Sequence, residues 1–281
     1  MLCTHEHRSH LRTGTRRGSP RLARLIRTPM PQLPFLLIDA GSTRLKWATA
    51  YARDPIRVRD EIATKDATRG WIDSLARKFP RHQTVLASVV PKITPHFRHA
   101  FTKRLHVVSG TSSVLGLRFD YPKPDEIGAD RLAIAVAAYA EGQWPVIAVS
   151  CGTATAFTVL DAEGRLCGGV IAPGLQTQLV ALLGATAQLP AVKLRPTRRY
   201  LARSTEEAIR AGVVLNFQGG IKEILTHLRE SLPKSNPPLI LLTGGNAPYL
   251  KGVLPSPVKL RPLLVFEGLR MIGARAFATR P

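Results

Sequence analysis

A short apolar strand, a turn containing glycine and threonine, and a strand running back occur twice in this chain. Phe35-Leu36-Leu37-Ile38 leads into Asp39; Ala40, Gly41, Ser42 and Thr43 turn the chain; Arg44-Leu45-Lys46-Trp47-Ala48 then alternates polar and apolar as a returning strand does. Pro145-Val146-Ile147-Ala148-Val149 leads in the same way into Ser150-Cys151-Gly152-Thr153-Ala154-Thr155, and Ala156-Phe157-Thr158-Val159-Leu160 returns. The repetition reads as a diverged internal duplication, one hairpin to each of two lobes. Glycine at each turn lets backbone N–H groups close on an anion, and the hydroxyls of Ser42, Thr43 and Thr153 add rotatable donors. Lys46 supplies a compact positive charge, and Asp39 has the chemistry to hold a hydrated magnesium ion. Taken alone, the first segment reads equally well as an ordinary hairpin. Its second copy shifts the balance to a phosphate cradle, with a nucleotide between facing lobes.

The rest of the chain alternates strand and helix. Ala67 to Phe79 places Trp71, Ile72, Leu75, Ala76 and Phe79 on one helical side, and Pro80 ends it. A buried strand is expected over Thr84 to Val90, a helix over Thr94 to Lys103 and a short strand over Leu105 to Val108. Further on come a helix from Leu175 to Gly184, one capped by Ser204-Thr205-Glu206-Glu207, a strand at Pro238 to Leu242 and a closing helix from Val265. This order predicts an α/β fold with largely parallel pairing, divided into lobes over 33–143 and 144–281. Residues 1–32 show no hydrophobic period and hold seven arginines, no lysine and one acid. They are expected to be a disordered basic arm or a mis-assigned start, with Met30 as the alternative first residue; their Arg-rich character also resembles a transit peptide.

Composition sets outer bounds. Hydrophobic residues form 44% of the chain, and no apolar run is long enough to span a bilayer. Cys3, Cys151 and Cys167 have no metal-ligand spacing, which suits reduced thiols and a cytoplasmic protein. The formal charge of +21, of which residues 1–30 carry +6, favours polyanionic ligands. Zinc-finger spacing and aromatic base-stacking motifs are missing, so no specific nucleic-acid partner is expected, nor a membrane.

Asp130 is the acid that calls for explanation. It stands in Gly128-Ala129-Asp130-Arg131 at the entrance of the apolar run Leu132 to Tyr139, after the proline-held stretch from Tyr121. A carboxylate there is costly unless it is paired or faces a cleft. It reads either as an N-terminal charge paired with Arg131 or as a base on a pocket floor. Thr205 reads either as a capping-region hydroxyl or as a ligand contact. Gly168-Gly169-Val170-Ile171-Ala172-Pro173-Gly174 has the glycines of a chain turning beside a ligand, and Thr243-Gly244-Gly245 those of backbone lying against a base or ribose.

These segments, in this order over nearly everything after residue 33, resemble the type III pantothenate kinases of the sugar kinase, acetate kinase and actin superfamily. The resemblance rests on Asp39 to Lys46, Gly128 to Arg131, Gly152 to Thr155, Gly168 to Gly174, Ala181 to Pro190 and Thr243 to Gly245. It implies two duplicated ribonuclease H-like (actin-like ATPase) lobes with a nucleotide cleft, and ATP-dependent phosphorylation of pantothenate to 4'-phosphopantothenate on the way to coenzyme A. By analogy Asp39, Ala40, Gly41, Ser42, Thr43, Arg44, Leu45 and Lys46 hold ATP phosphates and the metal, with Gly152 and Thr153 adding ATP contacts. Asp130 matches the proton acceptor. Tyr121, Gly128, Ala129, Asp130, Arg131 and Thr205 match substrate positions. The resemblance also implies a homodimer, with pantothenate bound close to the interface.

This chain departs from the family pattern at several positions. Ser42 stands where asparagine is usual, and Ala156 and Thr158 where threonine and aspartate are common. Ser150 replaces an aspartate associated with a monovalent cation; a neutral hydroxyl binds potassium or ammonium poorly, so that requirement is not expected here. These changes and the basic charge leave an alternative, a catalytically weak or inactive relative with a regulatory or nucleic-acid-associated role.

Overall fold

The computed structural model of the protein describes residues 34–51, 54–197, 200–254 and 257–278. The expected arm at 1–32, and Cys3 with it, lie outside them.

Two sheets carry the fold. The first has strand order β3-β2-β1-β4-β5, built from β1 (Phe35–Ala40), β2 (Arg44–Ala50), β3 (Arg57–Ala63), β4 (Gln83–Ser88) and β5 (Leu105–Val107). The second runs β12-β11-β7-β8-β9-β6, from β12 (Val258–Leu260), β11 (Leu239–Thr243), β7 (Val146–Cys151), β8 (Ala154–Leu160), β9 (Arg165–Gly168) and β6 (Arg118–Phe119), with β10 (Ile171–Pro173) on β8. The duplication is visible in the pairing. β1 pairs antiparallel with β2 and parallel with β4, while β7 pairs antiparallel with β8 and parallel with β11. Pairing is therefore mixed rather than largely parallel, because each repeated hairpin contributes an antiparallel pair.

Side-chain alternation decides what each sheet face meets. On the first sheet, Leu36, Ile38 and Ala40 pack against α1 (Arg69–Lys78) and α2 (Thr94–Phe101) through Ile72, Leu75, Phe97 and Phe101. Phe35 and Leu37 point the other way, into a core shared with α3 (Ala129–Tyr139) and α6 (Leu264–Ala278). On the second sheet, Ile147 and Val149 face α4 (Leu175–Gly184) and α5 (Thr205–Glu230), while Val146 and Ala148 face the shared core. The alanine-rich α3 is buried on nearly every side because it lies between the lobes.

The helices start and stop as their sequences dictate. Thr68 caps α1, its side chain accepting from Trp71 N. Ser204 caps α5 in the same way from Glu207 N, and α5 runs 26 residues.

Two elements cross the expected 143/144 division: β6 joins the second sheet, and α6 packs on β1 and β4 of the first. We propose to keep the division by sheet, with these two exchanges. Strand β3 had no sequence signal, since Arg57 to Glu61 are all exposed on an edge strand and show no apolar alternation.

Candidate active site

The two repeated turns meet. Thr43 Oγ1 lies 2.9 Å from Thr153 Oγ1, a hydrogen bond joining the first sheet to the second. In the first turn Gly41 N donates to Arg44 O at 3.0 Å, and in the second Gly152 N donates to Ala154 O at 3.0 Å. The carbonyls of both turns are taken up by other elements. Gly41 O accepts from Thr64 Oγ1 at 2.7 Å and Thr43 O from Thr64 N at 2.9 Å. Thr153 O accepts from Gly174 N at 2.9 Å and from Thr177 Oγ1 at 2.6 Å, while Gly152 O accepts from Asn246 Nδ2 at 3.2 Å. The N–H groups of Ser42, Thr43 and Thr153 make no hydrogen bond among the described residues. Turns whose carbonyls are taken up elsewhere and whose N–H groups stay free carry the donors that an anion-binding nest uses.

Two close approaches hold the second turn. A Cβ on Gly174 would lie 2.1 Å from Gly152 O, and one on Gly244, at φ +92°, would lie 2.5 Å from Cys151 O. Neither position has room for a side chain. The glycine of Thr243-Gly244-Gly245 thus serves contact with the Cys151 backbone at the end of β7, where Asn246 N also donates to Cys151 O.

Charge is laid out along the first hairpin. Asp39 on β1 pairs in register with Lys46 on β2, and Lys46 in turn with Glu61 on β3. Glu61 holds Arg44 at 2.8 Å and Lys46 at 3.8 Å. Both contacts are exposed and therefore weak, leaving the cations free to turn to a phosphate. Burial pushes the Asp39 carboxyl up to about 7, the neighbouring Asp130 carboxylate adds to the rise and Lys46 partly offsets it.

Asp130 sits in the first turn of α3, behind Gly128 at the N-cap. Val89 N donates to Ala40 O at 3.1 Å, which fixes Val89 at the end of β1. A Cβ on Gly128 would lie 2.8 Å from Asp130 Oδ1 and 3.5 Å from Val89 Cγ1. The Asp130 carboxylate is thereby brought to the carboxyl ends of β1 and β4, within electrostatic reach of Asp39. It makes no ion pair with Arg131 and no hydrogen bond to a described residue. The pairing of Asp130 with Arg131 is therefore not made among the described residues, and the half-buried carboxylate interacts with that of Asp39 instead.

Arg131 is 9% exposed, and its Nε has no partner among the described residues. A Cβ on Gly169 would lie 1.8 Å from Phe157 O and 2.9 Å from Arg131 Nη2, so this glycine makes room first for the Phe157 carbonyl and then for the guanidinium.

The other predicted residues are placed less centrally. Tyr121 is half-buried against the shared core, Ala129 is buried and Gly128 half-buried. Ala40 and Leu45 are buried in the hairpin. Thr205 is exposed at the start of α5, where Ser204 does the capping, and no contact joins it to Asp130 or Arg131 among the described residues. Ser150 is half-buried between Ala156 and Thr243 in the register of β7.

With this geometry in hand, comparison with known proteins is decisive. A family model for type III pantothenate kinase matches residues 35–227. The type III pantothenate kinase of Methylacidiphilum infernorum is 33% identical over 239 residues, covering 85% of this chain and 88% of the relative. This chain belongs to the type III pantothenate kinase family. The Akkermansia muciniphila kinase of that name is 34% identical over 85% of this chain and 98% of its own, and the Rhodospirillum rubrum one 36% over 86% and 93%. Among solved structures, a conserved Baf family protein from Campylobacter jejuni aligns with TM-score 0.58 and 16% identity over 85% of this chain and 96% of that one. Component A of (R)-2-hydroxyglutaryl-CoA dehydratase from Acidaminococcus fermentans aligns with TM-score 0.51 and 13% identity over 89% and 100%. The fold is the duplicated two-lobed one of the actin-like ATPases.

For a type III pantothenate kinase, the donor set of the cleft suits a hydrated divalent cation. No group of three or more His, Cys, Asp or Glu that could hold a metal ion occurs among the described residues. Asp39 and Asp130 provide two neighbouring carboxylates, and magnesium is commonly held by one or two such groups together with substrate phosphates. Ser150 brings a neutral hydroxyl, and its register neighbours Ala156 and Thr243 bring no charge. Sequence reasoning missed Thr64, Thr177 and Asn246. Each acts on a carbonyl far away in the chain, and single hydroxyls or amides carry no local pattern.

Proposed function

We propose that this chain transfers the γ-phosphoryl group of ATP to the hydroxyl of pantothenate, the first step toward coenzyme A. One observation supports the reading: Asp130 lies within electrostatic reach of Asp39, at the end of the strand that leads into the first turn, and the Thr43–Thr153 bond joins that turn to the second. Phosphoryl transfer depends mostly on alignment and on neutralising phosphate oxygens. The free N–H groups of Ser42, Thr43 and Thr153 receive those oxygens, and Arg44 and Lys46 add charge. Asp130 orients the acceptor hydroxyl and takes its proton. Arg131 pairs with the acceptor's carboxylate, while Tyr121, Gly128 and Ala129 shape the pocket around it. Asp39 would hold magnesium, which when bound screens the β- and γ-phosphate charge.

The same reading includes a homodimer in the cytoplasm, with Thr205 completing the acceptor site near the interface. Helices α4 and α5, joined by Asn216 Nδ2 donating to Gln178 Oε1 at 3.0 Å, expose Val180, Leu182 and Leu215. That apolar surface supports pairing of two copies. The non-catalytic alternative is not favoured, because Asp39, Lys46, Asp130 and Arg131 are all present in a chain belonging to a kinase family.

ADP release from ATP and magnesium, measured with and without pantothenate, tests the activity. Pantothenate-dependent release is expected, and without added potassium or ammonium. No product in any of these cations would overturn the reading. Light scattering on the purified chain checks the dimer, and a monomer at assay concentration would remove that part.

A further inference from the structure

The carbonyls of the two turns draw attention, because a phosphate cradle works only if they point away from the ligand. A peptide plane flipped in either turn would replace an N–H donor by a carbonyl oxygen facing a triphosphate. In this chain the same device guards both turns. At the first, one residue takes both outward carbonyls: Thr64 donates its Oγ1 to Gly41 O at 2.7 Å and its N–H to Thr43 O at 2.9 Å. Thr64 is 7% exposed and stands just after β3, whose Ala63 pairs in register with Arg44. At the second, Thr177 on α4 donates its Oγ1 to Thr153 O at 2.6 Å, beside Gly174 N at 2.9 Å. Neither threonine is near the other in sequence, and neither belongs to the strand-turn-strand pattern.

We propose that Thr64 and Thr177 are positioning residues for the nucleotide phosphates, acting by locking the peptide planes of Gly41 to Thr43 and of Thr153 so that N–H groups face the cleft. The proposal rests on the kinase reading for its reaction but not for its binding prediction. Thr64 matters more. Its hydroxyl bond is part-buried and its side chain is buried, so water replaces it less readily than it replaces the exposed Thr177 hydroxyl. If the freed carbonyl then competes for the cleft side, the expected loss in ATP affinity is about tenfold at Thr64 and about threefold at Thr177.

The test compares ATP with adenosine by calorimetry on the full chain, with magnesium present. Thr64→Val is nearly isosteric and removes only the hydroxyl. The expected result is an ATP affinity lowered about tenfold with adenosine affinity unchanged, and Thr64→Ser restoring ATP binding to near the starting value. Thr177→Val should lower ATP affinity about threefold, again leaving adenosine unchanged. In the kinase assay, KM for ATP should rise while KM for pantothenate stays put. Unchanged ATP affinity in Thr64→Val, or equal losses for ATP and adenosine, would overturn the proposal. Should Thr64→Val fail to fold, Thr177→Val on the exposed helix carries the same decision by the same readout. A chain that binds ATP as described yet never phosphorylates pantothenate would sink the acceptor assignment and leave the positioning role standing.

Discussion

Asp39 shows how a working residue costs the unliganded fold. Its carboxyl is raised from the model-peptide value of 3.8 to about 7, first by burial and then by Asp130. Between those two values the folded chain binds more protons than the unfolded one. Stability from this group is therefore greatest below about pH 4 and is lost as pH rises toward 7. Asp39→Asn should remove that dependence, giving a higher melting temperature than the parent at pH 8 while abolishing turnover. Thermal unfolding from pH 5 to 8 checks it, and a lower melting temperature at pH 8 would contradict the assigned burial cost. Arg131 makes the same point with opposite charge. It is buried, with no acid partner and with Nε unmet among the described residues, so Arg131→Met should leave stability near or above the parent. KM for pantothenate should rise more than tenfold, by loss of a charge-assisted pair of about 1.5–3 kcal/mol, with KM for ATP unchanged. Steady-state kinetics separate the two constants. Cys151 does nothing comparable, because burial pushes its thiol up to about 12 and leaves it protonated.

At the scale of elements, α3 and α6 hold the lobes together through a contact that excludes side chains. A Cβ on Gly268 would lie 1.8 Å from Ala133 O. Glycine to alanine inside a helix ordinarily stabilises by about 1 kcal/mol. Here the sign reverses: Gly268→Ala should force the helices apart and cost about 1–3 kcal/mol, read from denaturant midpoints. Most of the elements were legible, and for a physical reason. Strands with one or both faces buried, such as Phe35–Ala40 and Val146–Cys151, leave apolar runs, and amphipathic helices such as Arg69–Lys78 leave a stripe. Edge and short strands leave neither. Arg57–Ala63 is exposed along most of its length, and Arg118–Phe119 has two residues, so both are defined by their partners rather than by their own pattern. The site divides along the same line. Asp39, Lys46, Asp130 and Thr153 stand at strand ends and a helix entrance, where a local motif marks them. Thr64, Thr177 and Asn246 act across the fold on backbone carbonyls, and no spacing in the chain announces them.

For the whole molecule, the duplication explains how two turns from distant parts of one chain come to meet. Each lobe brings a hairpin whose turn points at the other, and the shared core of α3 and α6 fixes their distance so that Thr43 and Thr153 touch. The large positive charge is an attribute of the surface, suited to drawing in a polyanion such as ATP, and its effect on association should fade as salt rises. None of the described helices is long and apolar enough to cross a membrane. The proposed phosphoryl transfer depends on Asp130 taking the proton of the acceptor hydroxyl. Asp130→Asn, near-isosteric at a half-buried position, isolates that step. Single-turnover phosphorylation of pantothenate by this variant, with ATP affinity measured alongside, should show binding within about twofold of the parent and a rate at least about a hundredfold lower. A rate close to the parent's, with ATP bound normally, would contradict it.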